Sequence, residues 1–370
     1  MQVIQRQIPY VNIGVQTSLY KAEVMAEIEK VLESGMYILG ERVARFEADF
    51  AALCGTKYAV GVNNGTDALF LVMRGLGIGA GHEVIVPPNS FLASASSIAL
   101  IGATPVFADV RDDYNLDPDK LEKAITPRTR AIAPVHLTGR PADMEPILAI
   151  AAKHGLYVIE DCAQAVGAIY KGNAVGSMGI AGGFSLHPLK NLNAVGDGGM
   201  ITTNDDKLYE YLLKARNHGL KNRDECEFWS YNSRLDAIQA AILQVKLKYL
   251  SRWNNRRREI AEKYQQRLGQ YVWVPTDAPG IKSVYHTFII QTERRNELMN
   301  FLKENGVDSK VHYPISIHLQ EAAGYLGYKR GDFPVAERQM DTILSLPVFP
   351  ELLDEEVDYI CDTIERFFHT

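Results

Sequence analysis

From residue 56 onward the chain alternates short β-branched runs, bounded by Gly or Pro, with longer stretches of helical periodicity. That rhythm confines it to an α/β architecture, a mostly parallel central sheet covered by helices. Strands are expected at Tyr58–Val62, Glu83–Val86, Thr104–Asp109, Ala131–His136 and Tyr157–Asp161. Between them, Thr66–Leu76, Phe91–Ile101, Pro118–Ala124 and Ala142–His154 read as helices of about crossover length. The rhythm then changes. Gly182–His187 and Gly198–Thr203 read as two more strands with only ten residues between them, too few for a covering helix, so that link is expected to be a loop with a special purpose.

A long helical region from Arg234 to about Leu268 follows, and Tyr271–Pro279, with two prolines and nearby glycine, marks a break. Val284–Gln291 and Asp308–His312 as strands, with Glu293–Asn305 and Asp354–Phe367 as helices, would build a compact α+β unit. Near the start, Leu19–Ser34 has helical periodicity and Ile8–Val11 looks extended. The expected organisation is an N-terminal arm over residues 1–13, a large domain over 14–250 and a smaller C-terminal domain over 251–370, in keeping with a chain of 370 residues.

Charge narrows the partners. Thirty-nine Lys and Arg against 45 Asp and Glu give a net charge of −6, with no broad cationic face for nucleic acid or anionic lipid. Met1 to Val11 lacks the apolar run of a secretory signal, and no stretch reaches the ~18 apolar residues of a membrane span. A cytoplasmic protein is expected. Cys54, Cys162, Cys226 and Cys361 show no C-x-x-C spacing and read as free thiols. His312 and His318 are six apart, which matches no zinc-hydrolase spacing, so no metal is expected. Gly75-Leu-Gly77-Ile-Gly79-Ala80 fits a dinucleotide fingerprint only as a string, because it closes a helix instead of opening one. Gly183-Phe-Ser185 lacks the second glycine of a nucleophile elbow.

Three segments carry chemistry. Asn64-Gly65-Thr66-Asp67 lies between a strand and a helix start, where free N–H groups, the helix dipole and a hydroxyl converge on a point suited to a phosphate; an ordinary N-cap by Asn64 or Thr66 fits the same residues. Val158-Ile159-Glu160-Asp161 puts a carboxylate at the C-terminal edge of an apolar strand, where open sheets hold ligands. Asp109 also ends a strand and could be no more than a cap. Finally, Lys190 is the one cation between Lys171 and Lys207, enclosed by Leu, Pro, Val and Gly, as a nucleophilic amine would be. A lysine that bonds to an aldehyde, an aspartate that holds a pyridine nitrogen protonated and a Gly-Thr helix start for a phosphate are together what pyridoxal 5'-phosphate needs.

The sequence resembles the sugar aminotransferases of the DegT/DnrJ/EryC/StrS family, which have the aspartate aminotransferase fold, over nearly the whole chain. The marks are Tyr37-Ile38-Leu39-Gly40, Asn64 to Leu69, Glu160 to Gln164, Ser185 through Lys190 to Gly199, Asn232 to Asp236, and His312-Tyr313-Pro314. The resemblance implies a three-layer fold, Lys190 as the lysine that carries the cofactor, Asp161 as the partner of its ring nitrogen, and Gln164 as a donor to its ring hydroxyl. It also implies Phe91 as the ring-stacking aromatic, Gly65, Thr66 and Ser185 as phosphate contacts, and Asn232 as the asparagine that reaches the phosphate of the other subunit of a homodimer. Core packing remains open for Phe91, and helix capping for Asn232. Tyr10, His187, Tyr313 and His318 are the expected substrate contacts. His187-Pro188 departs from the Phe-rich form of the family and bears on the substrate wall. Related sugar dehydratases carry histidine where Lys190 stands, so lysine argues for amino transfer.

The expected reaction moves an amino group from an amino acid, L-glutamate by expectation, to a keto carbon of a nucleotide-linked deoxysugar. His312-Tyr313-Pro314 with His318-Leu319-Gln320 resembles the branch of the family acting on 3-keto sugars more than the 4-keto branch. The alternatives are a 4-keto sugar and a regulator that senses the cofactor or an amino sugar without turnover.

Overall fold

A computed structural model describes residues 6–369. Runs such as Val84-Ile85-Val86 and Val158-Ile159 are buried throughout, because helices cover both faces of the sheet they form. Seven strands make that sheet: β1 (Tyr58–Val62), β2 (Glu83–Val86), β3 (Thr104–Phe107), β4 (Thr129–Ile132), β5 (Tyr157–Asp161), β6 (Ala181–Ser185) and β7 (Gly199–Thr203), in the spatial order β1-β7-β6-β5-β4-β2-β3. Only β7 runs antiparallel, between β1 and β6. The link from β6 to β7, residues 186–198, holds no helix that could cross over a face of the sheet, and the chain turns back antiparallel. The loop bearing Lys190 is therefore held at the edge where the parallel strands end.

Several expectations change. The first helix begins at Ile13, where Asn12 caps it through an N–H bond from Val15 at 3.2 Å. The arm before it lies on the C-terminal region, with Ile8 bridged to Val307; residues 1–5 of the expected arm fall outside the described range. A helix at Glu41–Cys54 was not anticipated, although Val43, Phe46, Phe50 and Cys54 bury one face at helical spacing. The long region after Arg234 is two helices, Ala237–Leu247 and Leu250–Leu268. Asp308–His312 is no strand: only Lys310 bridges, to Ser345, in the unanticipated strand Ile343–Leu346 that pairs with Phe288–Gln291. Gly75 to Ala80 ends a helix, with Gly77 at φ +70°. Asp109 is a cap, accepting from Val335 and Ala336 N–H at 3.0 Å each at the start of the helix Pro334–Thr342.

A second core gathers Ile260, Tyr264, Phe288, Leu298, Leu344, Ile360 and Ile364. Residues 316–340 leave it and return to the large sheet, where Ile317, Phe333 and Ala336 pack with Val86, Ile98 and Phe107. This return passes along one side of the site. No described helix is long and apolar enough to cross a membrane.

Candidate active site

The parallel strands end at one edge, and the residues that follow β1, β2, β4, β5 and β6 line a single cavity of about 660 Å³. After β1, Asn64 caps the helix Gly65–Gly75 by accepting from Asp67 N–H at 2.8 Å. Both sequence readings of this turn hold together: the cap is Asn64, and the N–H groups of Gly65 and Thr66 and the Thr66 hydroxyl keep no partner among the described residues. The turn lies hard against β6, since a Cβ on Gly65 would come within 2.8 Å of Ser185 Cβ. Those free N–H groups and the hydroxyls of Thr66 and Ser185 form a cradle suited to an anion.

At the other end of the cavity Asp161 is 4% exposed, its carboxylate accepting from Ser94 Oγ at 2.7 Å and from Ala163 N–H at 3.1 Å. Burial pushes its pKa up, while those two bonds and the Lys190 charge pull it down. Lys190 follows β6 in a turn closed by its own N–H to His187 O at 2.8 Å. Burial pulls its pKa down to about 8, with Asp161 opposing, and its ammonium bonds to nothing among the described residues. Downstream, Asn191 Nδ2 donates to Asn254 Oδ1 and Val284 O, and Asn193 accepts from the buried Lys246 ammonium, so the loop is pinned on both sides of its inner face. Phe91 is 57% exposed at the cavity wall; core packing is not its role.

Gln164 is held at both ends of its amide. Its Oε1 accepts from Thr138 N–H at 2.7 Å, and one N–H goes to the Tyr313 hydroxyl at 2.8 Å, leaving the second to reach a ligand. Tyr313 and His187 line the cavity as expected; burial and the Lys190 charge lower the pKa of His187. Tyr10 does not line it, and packs behind His312 with ring centroids 5.6 Å apart. His318 is a correction of place: it is 2% exposed among Phe107 and Phe333, with Nε2 3.1 Å from Glu337 Oε1, because residues 316–340 turn inward to the large core. Asn232 is not at the cavity of its own chain. It is exposed and bridges Asn217 through its backbone, five residues before the helix Ala237–Leu247, so it does not cap that helix.

Among the cavity residues that escaped the sequence reading as contacts are Ser94, His286 and His312. His312 belongs to a motif already quoted, whereas His286 lies in a stretch that read as plain strand. His136, Glu160 and Cys162 lie close enough together to suggest a metal. Their polar atoms are committed: the Glu160 carboxylate accepts from Gly176, Met178 and Gly179 N–H at 2.7–2.8 Å and meets His136 Nε2 at 3.0 Å, and His136 Nδ1 accepts from Ala142 N–H.

The cradle, the buried carboxylate, the amine between them and the aromatic wall fit a phosphorylated heteroaromatic aldehyde. Comparison with known proteins agrees. Residues 19–365 match the model of the DegT/DnrJ/EryC1/StrS aminotransferase family, and the chain belongs to that family. It is 45% identical to a dTDP-3-amino-3,6-dideoxy-alpha-D-galactopyranose transaminase of Aneurinibacillus thermoaerophilus, over 97% of this chain and 99% of the other. It is 44% identical to a protein of Geobacillus stearothermophilus named a pleiotropic regulatory protein, over 98% of each. Among solved structures it is similar to S. venezuelae DesV in complex with a ketimine intermediate, with a TM-score of 0.96, 42% identity, and coverage of 98% of this chain and 99% of that one.

Proposed function

We propose that this aminotransferase, with pyridoxal 5'-phosphate as its cofactor, transfers an amino group from an α-amino acid, L-glutamate by preference, to carbon 3 of a keto sugar linked to a nucleotide. The observation that carries the reading is the pairing of the buried Asp161 carboxylate with the Lys190 amine in one cavity, beside an unoccupied-by-protein set of N–H donors at Gly65 and Thr66. When bound, the cofactor supplies an electron sink that makes a carbon-bound proton of the substrate acidic.

The chain's residues have the remaining tasks. Gly65, Thr66 and Ser185 hold the phosphate, and Phe91 covers the ring face. Asp161, whose carboxylate accepts from Ser94 and Ala163, would hold a proton on the ring nitrogen. Lys190 would hold the cofactor's aldehyde and serve as the base that takes up and returns the proton of the substrate carbon, a task its lowered pKa suits near neutrality. Gln164 and Tyr313 line the side of the ring, and with His187 they face the sugar.

The site is shared between two copies in this reading. Trp229 is 92% exposed, Tyr231 is exposed, and Phe91, Leu92, Leu189 and Val195 leave an apolar rim around the cavity mouth, which suits coverage by a second chain. Asn232, on the same loop as Trp229, would serve the neighbour's phosphate. Mixing Lys190→Ala chains with Asn232→Asp chains tests this: a verified heterodimer regains one complete site and a fraction of the activity, whereas no recovery counts against sharing. Cytoplasmic work fits four cysteines that remain thiols.

The reaction is tested by incubating the purified protein with L-glutamate and a panel of 3-keto and 4-keto nucleotide sugars, and weighing the products. An amine on the 3-keto substrates supports the reading, and preference for 4-keto substrates moves the carbon. The Geobacillus relative's name brings in a second reading, sensing without turnover. Cofactor that stays unchanged in the presence of glutamate would favour it.

A further inference from the structure

One imidazole of the cavity wall is uncommitted. His286 lines the cavity with Lys190, His187 and His312. Its Nδ1 is enclosed without a partner, and its Nε2 makes no hydrogen bond among the described residues. The polar groups around it are engaged: Asp161 with Ser94 and Ala163, Gln164 with Thr138 and Tyr313, and His312 Nδ1 with Ser345 Oγ at 2.7 Å.

The backbone fixes where this imidazole stands. Tyr285, just before it, is held at φ +44°, a strained conformation for a side chain of that size. The segment is pressed onto the turn that anchors Gln164: a Cβ on Gly139 would come within 2.9 Å of His286 N and 2.8 Å of Val284 Cγ2. Behind it, the buried Arg257 guanidinium donates to Tyr285 O at 3.1 Å, to His286 O at 3.4 Å and to Val348 O, and forms no ion pair with a carboxylate among the described residues. Burial first, and then Lys190, Arg257, His312 and His187, disfavour protonation of His286. Such surroundings favour an anion.

The geometry points to His286, backed by Arg257, as the subsite for the carboxylate of the α-amino-acid donor. This rests on the aminotransferase reading above. With the cofactor held by Lys190, the donor's amino nitrogen would have to reach the place of the Lys190 amine, and its carboxylate, one carbon away, would lie beside Lys190, where His286 offers an N–H that no group among the described residues uses. A neutral imidazole also leaves no unpaired charge in the emptied site once the donor has gone.

The test uses cofactor-loaded enzyme and two variants, His286→Phe and His286→Gln, the latter keeping an N–H donor. The donor half-reaction with L-glutamate is followed by cofactor absorbance, with glutarate as a competing unreactive carboxylate. In His286→Phe the half-saturating glutamate concentration and the glutarate inhibition constant rise on the order of tenfold to a hundredfold, as for a lost hydrogen bond to a charged group. The nucleotide-sugar KM, cofactor content and thermal midpoint stay near wild type, and His286→Gln recovers most of the loss. Unchanged glutarate inhibition, equal rises for both substrates, or no recovery in His286→Gln would overturn the assignment. A wild-type protein that aminates no nucleotide sugar would overturn the functional reading instead, and glutarate binding, read from the absorbance shift, would still decide the role of His286.

Discussion

The two walls of the cavity are built on different principles. One is the edge of the seven-stranded sheet, where Gly65, Thr66, Phe91, Asp161, Ser185 and Lys190 follow strand ends. Its polar groups are held by neighbours in the same layer, as Asp161 is by Ser94 and Asn64 is by Asp67. The other wall, His286, His312 and Tyr313, comes from the C-terminal region, in irregular backbone with Tyr285 at φ +44° and Tyr313 itself at φ +59°. In the proposed reading, the sheet edge carries the chemistry shared by all substrates, and the irregular segments meet the part that distinguishes one substrate from another.

If that division is right, damage to the sheet wall should remove catalysis whatever the substrate. Lys190→Ala should lose transamination by at least about a thousandfold, with no cofactor band that resists dialysis. Turnover above background by product mass would break the comparison at its strongest point. Asp161→Asn should still bind cofactor yet lose rate on the order of a hundredfold to a thousandfold, because an amide cannot hold the ring nitrogen protonated. Loss of cofactor affinity with the rate intact would make Asp161 a structural residue.

Damage to the second wall should separate the substrates. Tyr313→Phe removes the hydroxyl that accepts from Gln164, and the nucleotide-sugar KM should rise about tenfold with donor kinetics and cofactor absorbance little changed. Equal effects on both half-reactions would place Tyr313 with the cofactor. A gentler probe returns to Lys190: reconstitution of cofactor-free protein needs its unprotonated amine, and burial lowers the pKa to about 8. The rate should climb with pH and level off above about 8; a climb continuing towards 10.5, the ordinary lysine value, would contradict its enclosure. The smallest effect on chemistry is expected at His318. His318→Asn takes a partner from Glu337, which keeps its bonds from Gly331 and Phe333 N–H, and stability should fall by about 1–3 kcal/mol with both KM values unchanged. A changed sugar KM would bring His318 back to the site.

Three strands, β1, β2 and β5, were legible to the residue, since β-branched runs buried on both faces leave little choice of period. The helix Glu41–Cys54 was readable by the same logic from Val43, Phe46 and Phe50 and was overlooked. The strand Ile343–Leu346 was not readable in this way: it follows the helix Pro334–Thr342 with no residue between them to mark a turn, and its pairing with Phe288–Gln291 supplies the structure.

The sequence by itself determined the sheet wall. Where a ligand site follows strand ends, its residues are neighbours in the chain, and Asn64 to Asp67, Asp161 to Gln164 and Ser185 to Lys190 survive as short motifs. Only the tertiary structure decided the rest. It turned His318 away into the core, set Tyr10 behind His312, engaged Gln164 with Tyr313, and brought His286 to Lys190. These placements depend on how the second core docks on the first, through contacts between residues far apart in the chain, and no local propensity or periodicity encodes such contacts.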